Sequence, residues 1–299
     1  HIRVNAVQQT SDPDIYAAGD AVETADRVTG GAIAVPLGGP ANRQGRVAAD
    51  HIFRPGQVRP YPGSLGTAIV RVFGGVAAMT GWSEKRLEAE ARAYRTVTVN
   101  DNQHAGYFPG ATPVTLKILW DPENGRLLGA QATGSDGVDK RIDVLATAIA
   151  GGMTVDDLCH LELAYAPPFG AAKDIINLAG FTATNVMDGL VETVDELPPE
   201  DDASTQVIDV RPPELAARHP LEGSINIPFP TLRSRLDELD RQRPVVTTCA
   251  FGKMSYFAAR ILAQEGFRVK TFTGGIRGNR DPLSPAKLPT GQSARASRS

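Results

Sequence analysis

The chain has 299 residues, of which 41% are hydrophobic and 22% charged, so it can form two or three compact domains and wholesale disorder is excluded. Its 31 basic and 34 acidic side chains leave a net charge of -3, which argues against a nucleic-acid surface as its main purpose. The sequence lacks an apolar run near the ~20 residues of a membrane-spanning helix, and its two cysteines cannot form a disulfide framework, so we expect no membrane partner and a reducing, cytoplasmic setting.

The first predicted domain comprises residues 1–58. It begins with His1 in an alternating stretch typical of a strand already under way, so we expect the chain to be the back portion of a longer protein. Residues 15–18 are predicted as a short buried strand and residues 41–53 as a helix with one apolar face. A stretch dense in Pro and Gly, residues 54–63, predicts the boundary that follows.

The second predicted domain, residues 62–182, mixes strands with helices. Its strands are predicted at residues 68–73, 94–99, 114–120 and 126–133, and its helices at residues 141–151 and from residue 155. The last two strands are joined by a turn that contains Pro and Gly, which is typical of a hairpin. We therefore predict an α+β domain with an antiparallel sheet.

The third predicted domain, residues 190–280, alternates strand and helix. Its strands are predicted at residues 207–210, 224–227, 245–248 and 269–272, and its helices at residues 213–218, 231–239 and 254–265. This alternation is typical of an α/β doubly wound parallel sheet. The tail, residues 281–299, is rich in Ser, Pro, Ala and Arg and is predicted to be disordered.

Cys249 is the clearest candidate nucleophile in the sequence. It lies where a predicted strand ends and a helix begins, so loop N–H groups and the positive end of the helix dipole favour its thiolate. Gly252 lets the loop curl and Lys253 adds a positive charge. The alternative is a buried cysteine that merely packs, which is the common role of a free cysteine.

The third domain resembles a rhodanese (sulfurtransferase) domain in its sequence motifs. These motifs are Asp209-Val-Arg211, EGSINIP at residues 222–228, Cys249 at a strand end, and Gly274-Gly275. The resemblance implies that Cys249 carries a persulfide. The loop departs from the family pattern, because Met254 stands where the family has Arg, and Lys253 lacks the planar fork of donors that Arg supplies.

A strand that ends in Gly-Asp places a carboxylate at a sheet edge, where it can accept hydrogen bonds from ribityl hydroxyls. The string TSDPDIYAAGD, residues 10–20, resembles the second flavin-contacting motif of pyridine nucleotide–disulfide oxidoreductases. The resemblance implies that Asp20 holds the ribityl chain of FAD and that Ala21 lies near its ring system. The residues that it assigns to cofactor binding are Thr10, Asp14, Ile15, Gly19, Asp20, Ala21 and Tyr165.

The second domain resembles the dimerisation domain of one branch of those oxidoreductases. The motifs are GYFPGA at residues 106–111, GSDGVDK at 134–140, and LAYAPPF at 163–169 followed by AKD. The branch contains coenzyme A-disulfide reductases, NADH oxidases and persulfide reductases, and some members carry a fused rhodanese domain. The resemblance implies a homodimer in which Tyr107 and Tyr165 reach the partner subunit's flavin, with Lys173 and Asn42 contacting a CoA substrate.

Two features of that family are not present in this sequence. It contains no Gly-x-Gly-x-x-Gly phosphate motif and no redox cysteine beside the flavin motif. The five histidines show no ligand spacing, so no metal is expected. The resemblance therefore implies a fragment of an FAD- and NAD(P)H-dependent enzyme that acts on CoA disulfide or CoA persulfide. The catalytic residues that it implies are Cys249, Tyr107 and Tyr165. The residues that it implies to contact the substrate are Asn42, Lys173 and Lys253.

Two other functions stay open at this point. One is a non-catalytic rhodanese-like binding module, which Met254 in the loop favours. The other is an NADH oxidase that reduces oxygen or peroxide. A reactive thiol at Cys249 would exclude the first, and flavin reoxidation by CoA persulfide rather than by oxygen would exclude the second.

Overall fold

The computed structural model describes residues 1–279, and the predicted disordered tail lies outside them. The chain divides into two compact units, the first formed by residues 1–195 and the second beginning at Glu196. The first unit contains an antiparallel sheet with helices and the second a parallel sheet, so the predicted fold class is confirmed. The predicted boundary at residues 54–63 lies inside the first unit and stays a prediction.

The opening segment forms three short strands and one long helix. The strands are β1 (Ile2–Arg3), β2 (Val22–Ala25) and β3 (Ala32–Ile33), and the helix is α1 (Gly38–Phe53). Strand β2 pairs in parallel with β1 and antiparallel with β3. The side chains of Ile2, Ile52 and Phe53 are exposed, so apolar surface of this segment is open in the chain.

The predicted strand at residues 15–18 is wrong. Only Tyr16 makes a β-bridge, to Gln9, and residues Gly19–Ala21 form a 3-10 turn instead. The backbone of this stretch bonds within its own loop, since Thr10 N donates to Ile15 O and Ala17 N donates to Gln8 O. These local bonds leave few backbone groups for a sheet ladder.

A five-stranded antiparallel sheet forms the body of the first unit, in the order β4-β5-β8-β7-β6. Its strands are β4 (Ala68–Val72), β5 (Gly75–Gly81), β6 (Arg95–Asn102), β7 (Pro113–Trp120) and β8 (Leu127–Gly134). The helices are α2 (Glu84–Ala89), α3 (Val138–Gly151), α4 (Val155–Cys159) and α5 (Ile175–Met187), and a short strand β9 (Thr193–Val194) follows. Helix α3 packs on β5 and β8, and α5 packs on β6 and β7.

The second unit has a parallel sheet with helices on it. Strands β10 (Gln206–Asp209), β11 (Ser224–Asn226), β12 (Val245–Thr248) and β13 (Val269–Phe272) run in the order β11-β10-β12-β13. The helices are α6 (Pro213–Arg218), α7 (Lys253–Gln264) and α8 (Gly275–Asn279). Every residue of β10 and β12 is buried, as expected of central strands covered on both faces.

The predicted helix at residues 231–239 is also wrong. Two 3-10 segments, Phe229–Ser234 and Leu236–Glu238, occupy this stretch and are separated at Arg235. Their bonds span three residues, as from Thr231 N to Pro228 O. Leu236 and Leu239 are three residues apart, and residues at that spacing share a face of a 3-10 turn as well as of an α-helix, so the apolar spacing does not distinguish the two.

A buried ion pair joins three segments of the first unit. The Arg141 guanidinium on α3 donates to Asp174 Oδ2 at 2.7 Å and to the Gln103 carbonyl at 2.7 Å. Both charged side chains are almost completely buried. Asp174 also begins α5, because its carboxylate accepts from Ile176 N and its own N–H donates to Asn177 Oδ1.

We expect Arg141→Met to lower the free energy of unfolding of the first unit by about 3–5 kcal/mol, because it leaves the Asp174 carboxylate buried without its partner. The double variant Arg141→Met/Asp174→Asn should recover part of that loss, because asparagine removes the unpaired charge but can still cap α5. Urea unfolding followed by tryptophan fluorescence measures it, since both tryptophans, Trp82 and Trp120, lie in this unit. A single variant as stable as the wild type would contradict the prediction.

Candidate functional site

Cys249 lies directly after β12, at the carboxyl edge of the parallel sheet, and is 5% exposed. Two backbone N–H groups point at its sulfur: Gly252 N lies 3.2 Å and Ser255 N 3.4 Å from Sγ. The second donor belongs to the first turn of α7, whose dipole favours negative charge at this end. The site therefore suits a thiolate or a sulfur-bearing anion on Cys249.

The loop that carries Cys249 is fixed by the start of α8. Ile276 N donates to the Cys249 carbonyl at 2.9 Å, and Arg277 N donates to the Ala250 carbonyl at 2.9 Å. Gly275 has a left-handed φ of 65°, and a Cβ placed there would lie 2.4 Å from Gly252 N. Only glycine fits this approach, so the Gly274-Gly275 motif shapes the loop.

The Asp209-Val-Arg211 motif forms a buried ion pair beside β10. Arg211 Nη2 lies 2.6 Å from Asp209 Oδ2 and 2.9 Å from the His219 carbonyl. The Asn226 amide adds bonds to the Asp209 and Arg211 carbonyls. Because its donors bind within the fold, Arg211 has a structural role here.

Tyr107 and Tyr165 are brought together from two loops of the first unit. Their hydroxyl oxygens lie 3.5 Å apart, and both side chains are exposed. The hydrogen bond with Tyr165 is the main cause that raises the pKa of Tyr107 above its ordinary value. The pair presents two phenol groups to whatever docks on this surface, and a phenol O–H can hydrogen-bond or protonate a thiolate.

The Lys140 side chain and one backbone bond hold the two tyrosine loops. Lys140 Nζ lies 3.4 Å from the carbonyls of Ala164 and Phe169, which flank Tyr165. Ala105 N donates to the Gly170 carbonyl at 2.9 Å, which joins the Tyr107 loop to the Tyr165 loop. Neither Lys140 nor the Arg141–Asp174 pair was assigned a role by the motifs, although all three lie in or next to them.

The segment predicted to bind flavin presents Asp20 and Ala21 on its surface. Both side chains are exposed at the 3-10 turn that replaces the predicted strand, next to α1. The Gln44 side chain accepts from Gly19 N at 2.7 Å and fixes this turn. A free carboxylate beside a small residue fits a polyhydroxyl chain next to a flat ring. Thr10, Asp14 and Ile15 form the preceding loop, in which Thr10 N donates to Ile15 O.

The two predicted CoA contacts lie on helix ends of the first unit. Asn42, in the first turns of α1, is exposed and donates to the Gly38 carbonyl at 2.8 Å. Lys173 is exposed just before α5, with its ammonium 5.9 Å from the centre of the Phe181 ring. Both side chains are available to a polar or anionic ligand.

Residues 1–279 contain neither a candidate metal site nor a candidate membrane-spanning helix. Within that range the structure contains no group of three or more His, Cys, Asp or Glu side chains arranged to hold a metal ion. Over the same residues, no helix is both long and apolar enough to cross a membrane.

Comparison with known protein families identifies both domains. Residues 68–174 match the family described as pyridine nucleotide-disulphide oxidoreductase, dimerisation domain. Residues 192–280 match the rhodanese-like domain. The antiparallel sheet with the tyrosine pair lies in the first match, and the Cys249 loop lies in the second.

Individual relatives match 62% to 94% of the chain. Coenzyme A disulfide reductase of Staphylococcus haemolyticus is 38% identical over 185 residues, 62% of this chain and 41% of that protein. The crystal structure of reduced Bacillus anthracis CoADR-RHD is 45% identical, covers 93% of this chain and 50% of that one, and has a TM-score of 0.89. The NAD-dependent persulfide reductase from A. fulgidus is 41% identical, with coverages of 94% and 50% and a TM-score of 0.86. The chain thus spans half or less of the length of these relatives.

We expect Tyr165→Phe to lower the pKa of Tyr107 toward its ordinary value, because the hydrogen bond that favours the protonated phenol is removed. Ultraviolet difference titration from neutral to alkaline pH, with Tyr107→Phe to assign the signal, measures the shift. Tyr16→Phe is the control, since Tyr16 bonds to His51 rather than to this pair. An unchanged Tyr107 titration in Tyr165→Phe would refute the coupling.

Gly275→Ala should displace the Cys249 loop and expose its sulfur, because the added carbon meets backbone atoms of that loop. We expect faster alkylation of Cys249 by iodoacetamide, measured on the peptide by mass spectrometry, together with a lower melting temperature. Gly266→Ala is the matched control: its φ of 84° is similarly strained, but a Cβ there meets nothing within 4 Å. If both variants alkylate Cys249 alike, steric displacement is not the cause.

Proposed function

We propose that this chain, which joins a dimerisation domain of the pyridine nucleotide-disulphide oxidoreductases to a rhodanese-like domain, is part of an FAD- and NAD(P)H-dependent reductase of CoA disulfide or CoA persulfide. The names of the relatives, a coenzyme A disulfide reductase and an NAD-dependent persulfide reductase, support this substrate class. The shared domain pair with the CoADR-RHD structure supports the coupling of the two activities in one protein.

Sulfur transfer at Cys249 is the part of the proposal that this chain carries by itself. The Cys249 thiolate attacks the outer sulfur of a sulfane donor, the S–S bond of the donor breaks, and the donor leaves with the electron pair. The persulfide that results places its anionic sulfur close to the N–H groups of Gly252 and Ser255. These two donors at a buried sulfur are the observation on which the proposal rests.

The flavin site would involve the first segment of the chain. Asp20 would accept hydrogen bonds from the ribityl hydroxyls, and Ala21 leaves room beside the ring system. When bound, FAD supplies the electron transfer between nicotinamide and sulfur that side chains alone cannot perform. Thr10, Asp14, Ile15 and Gly19 would complete this part of the site.

A homodimer formed through the dimerisation domain would place the tyrosine pair next to reacting groups of the partner subunit. Tyr107 and Tyr165 face outward, so the reacting groups that they serve would lie on the partner subunit. A phenol is protonated at neutral pH, and the raised pKa of Tyr107 extends that protonated state to higher pH, so Tyr107 can donate a hydrogen bond to a leaving CoA thiolate. Lys173 would pair with CoA phosphates, and Asn42 would donate its amide to the same substrate.

Cys249→Ser should abolish formation of the protein persulfide, because a serine hydroxyl is not a sulfur nucleophile. The full chain is incubated with a persulfide donor, and intact-mass spectrometry and sulfur release to cyanide are measured. Cys159→Ser is the matched control and should retain both, since burial raises the pKa of the Cys159 thiol and so disfavours its reactive form. Undiminished sulfur release by Cys249→Ser would leave the rhodanese-like domain as a binding module.

A further inference from the structure

We propose that Met254 determines the substrate class of the Cys249 site, which takes sulfur from organic persulfides carried on an alkyl arm rather than from thiosulfate. The inference rests on the proposed function, since it requires Cys249 to carry sulfur. It goes further by naming the side chain that selects the donor and the chemistry that the donor must have.

Met254 lies next to the reacting sulfur in the loop. The two N–H donors to Cys249 Sγ belong to Gly252 and Ser255, and only Lys253 and Met254 lie between them. Met254 is in the first turn of α7 and is 41% exposed, so its thioether can contact a ligand. The backbone at this turn is fixed by the bond from the Ser255 hydroxyl to the Gly252 carbonyl at 3.0 Å.

Aromatic side chains extend this apolar surface. Phe257 follows Met254 by one helical turn, so the two share a face of α7, and Phe257 is 42% exposed. Its ring centre lies 6.5 Å from that of Phe229. Phe251, in the loop itself, is 40% exposed. The face of α7 that begins beside the Cys249 loop therefore carries a thioether and a phenyl ring, which suit a hydrocarbon chain through dispersion contacts.

Two arginines of the second unit, Arg211 and Arg277, already have partners in the fold. The Arg211 donors are occupied by Asp209 and by the His219 carbonyl. The Arg277 guanidinium lies 5.2 Å from the centre of the Phe251 ring. Lys253 offers one point charge, which lacks the two parallel donors with which Arg binds an oxyanion.

The charge and the hydrocarbon content of the leaving group determine which sulfur donor the site prefers. Transfer from thiosulfate breaks its S–S bond and releases sulfite, which carries two negative charges. Transfer from an alkyl persulfide breaks the same kind of bond and releases a thiolate with one negative charge and a hydrocarbon arm. A site that presents the Met254 thioether in place of a guanidinium stabilises the thiolate leaving group better than it stabilises sulfite.

The test compares two sulfur donors on the full chain, with transfer to cyanide as the common readout. The donors are thiosulfate and the alkyl persulfide of N-acetylcysteamine, whose arm carries no charge, and kcat/KM is measured for each after the reaction of the donor with cyanide alone is subtracted. We expect the wild type to prefer the alkyl persulfide by at least about tenfold, and Met254→Arg to shift that ratio toward thiosulfate by at least about tenfold. Met254→Leu, which keeps an apolar side chain, should leave the preference in place.

The outcomes separate this inference from the proposed function. A wild type that prefers thiosulfate, or a donor ratio unchanged in Met254→Arg, would overturn the role of Met254 while leaving sulfur transfer intact. A wild type that transfers sulfur from neither donor would overturn the proposed function and this inference with it. Circular dichroism of each variant checks that the fold is retained.

Discussion

The buried Arg141–Asp174 ion pair organises the first unit. One guanidinium connects α3, the start of α5 and the Gln103 carbonyl, and the two tyrosine loops extend from these anchor points. Taking two charges out of water is costly, so a pair of this kind contributes geometry more than stability. The 3.5 Å approach of Tyr107 and Tyr165, residues 58 positions apart, depends on the loops being held this way.

In the second unit, too, a small number of interactions shapes the site. A parallel sheet brings the ends of its strands to one edge, where Cys249 follows β12 and Asp209 ends β10. The loop around the cysteine takes its shape from backbone bonds, two glycines and the Ser255 hydroxyl. The side chains beside the loop, such as that of Met254, can thus vary without altering the loop backbone. One scaffold can in this way serve different sulfur donors.

Much of this arrangement could be predicted from the sequence because its signals are local. Strands β12 and β13 follow from short runs of β-branched residues, and the β7–β8 hairpin follows from its Pro- and Gly-bearing turn. The predictions that were wrong, at residues 15–18 and 231–239, fall where the backbone hydrogen bonds stay within short local turns. Helix α5 was missed because it is apolar on most faces and lacks amphipathic periodicity, and Arg141 and Asp174 were missed because their pairing joins positions 33 apart in the chain.

The bonds from Ile276 and Arg277 to the Cys249 loop have a further consequence for the extent of the second unit. The residues that surround the sulfur are contiguous, yet their conformation is completed by the last described helix, which follows the final strand of the sheet. The two bonds reach the carbonyls of Cys249 and Ala250, so the backbone on one side of the sulfur is held by residues that lie beyond the final strand. A chain cut directly after β13 would lack both bonds, although the Gly252 and Ser255 donors to the sulfur would still be present.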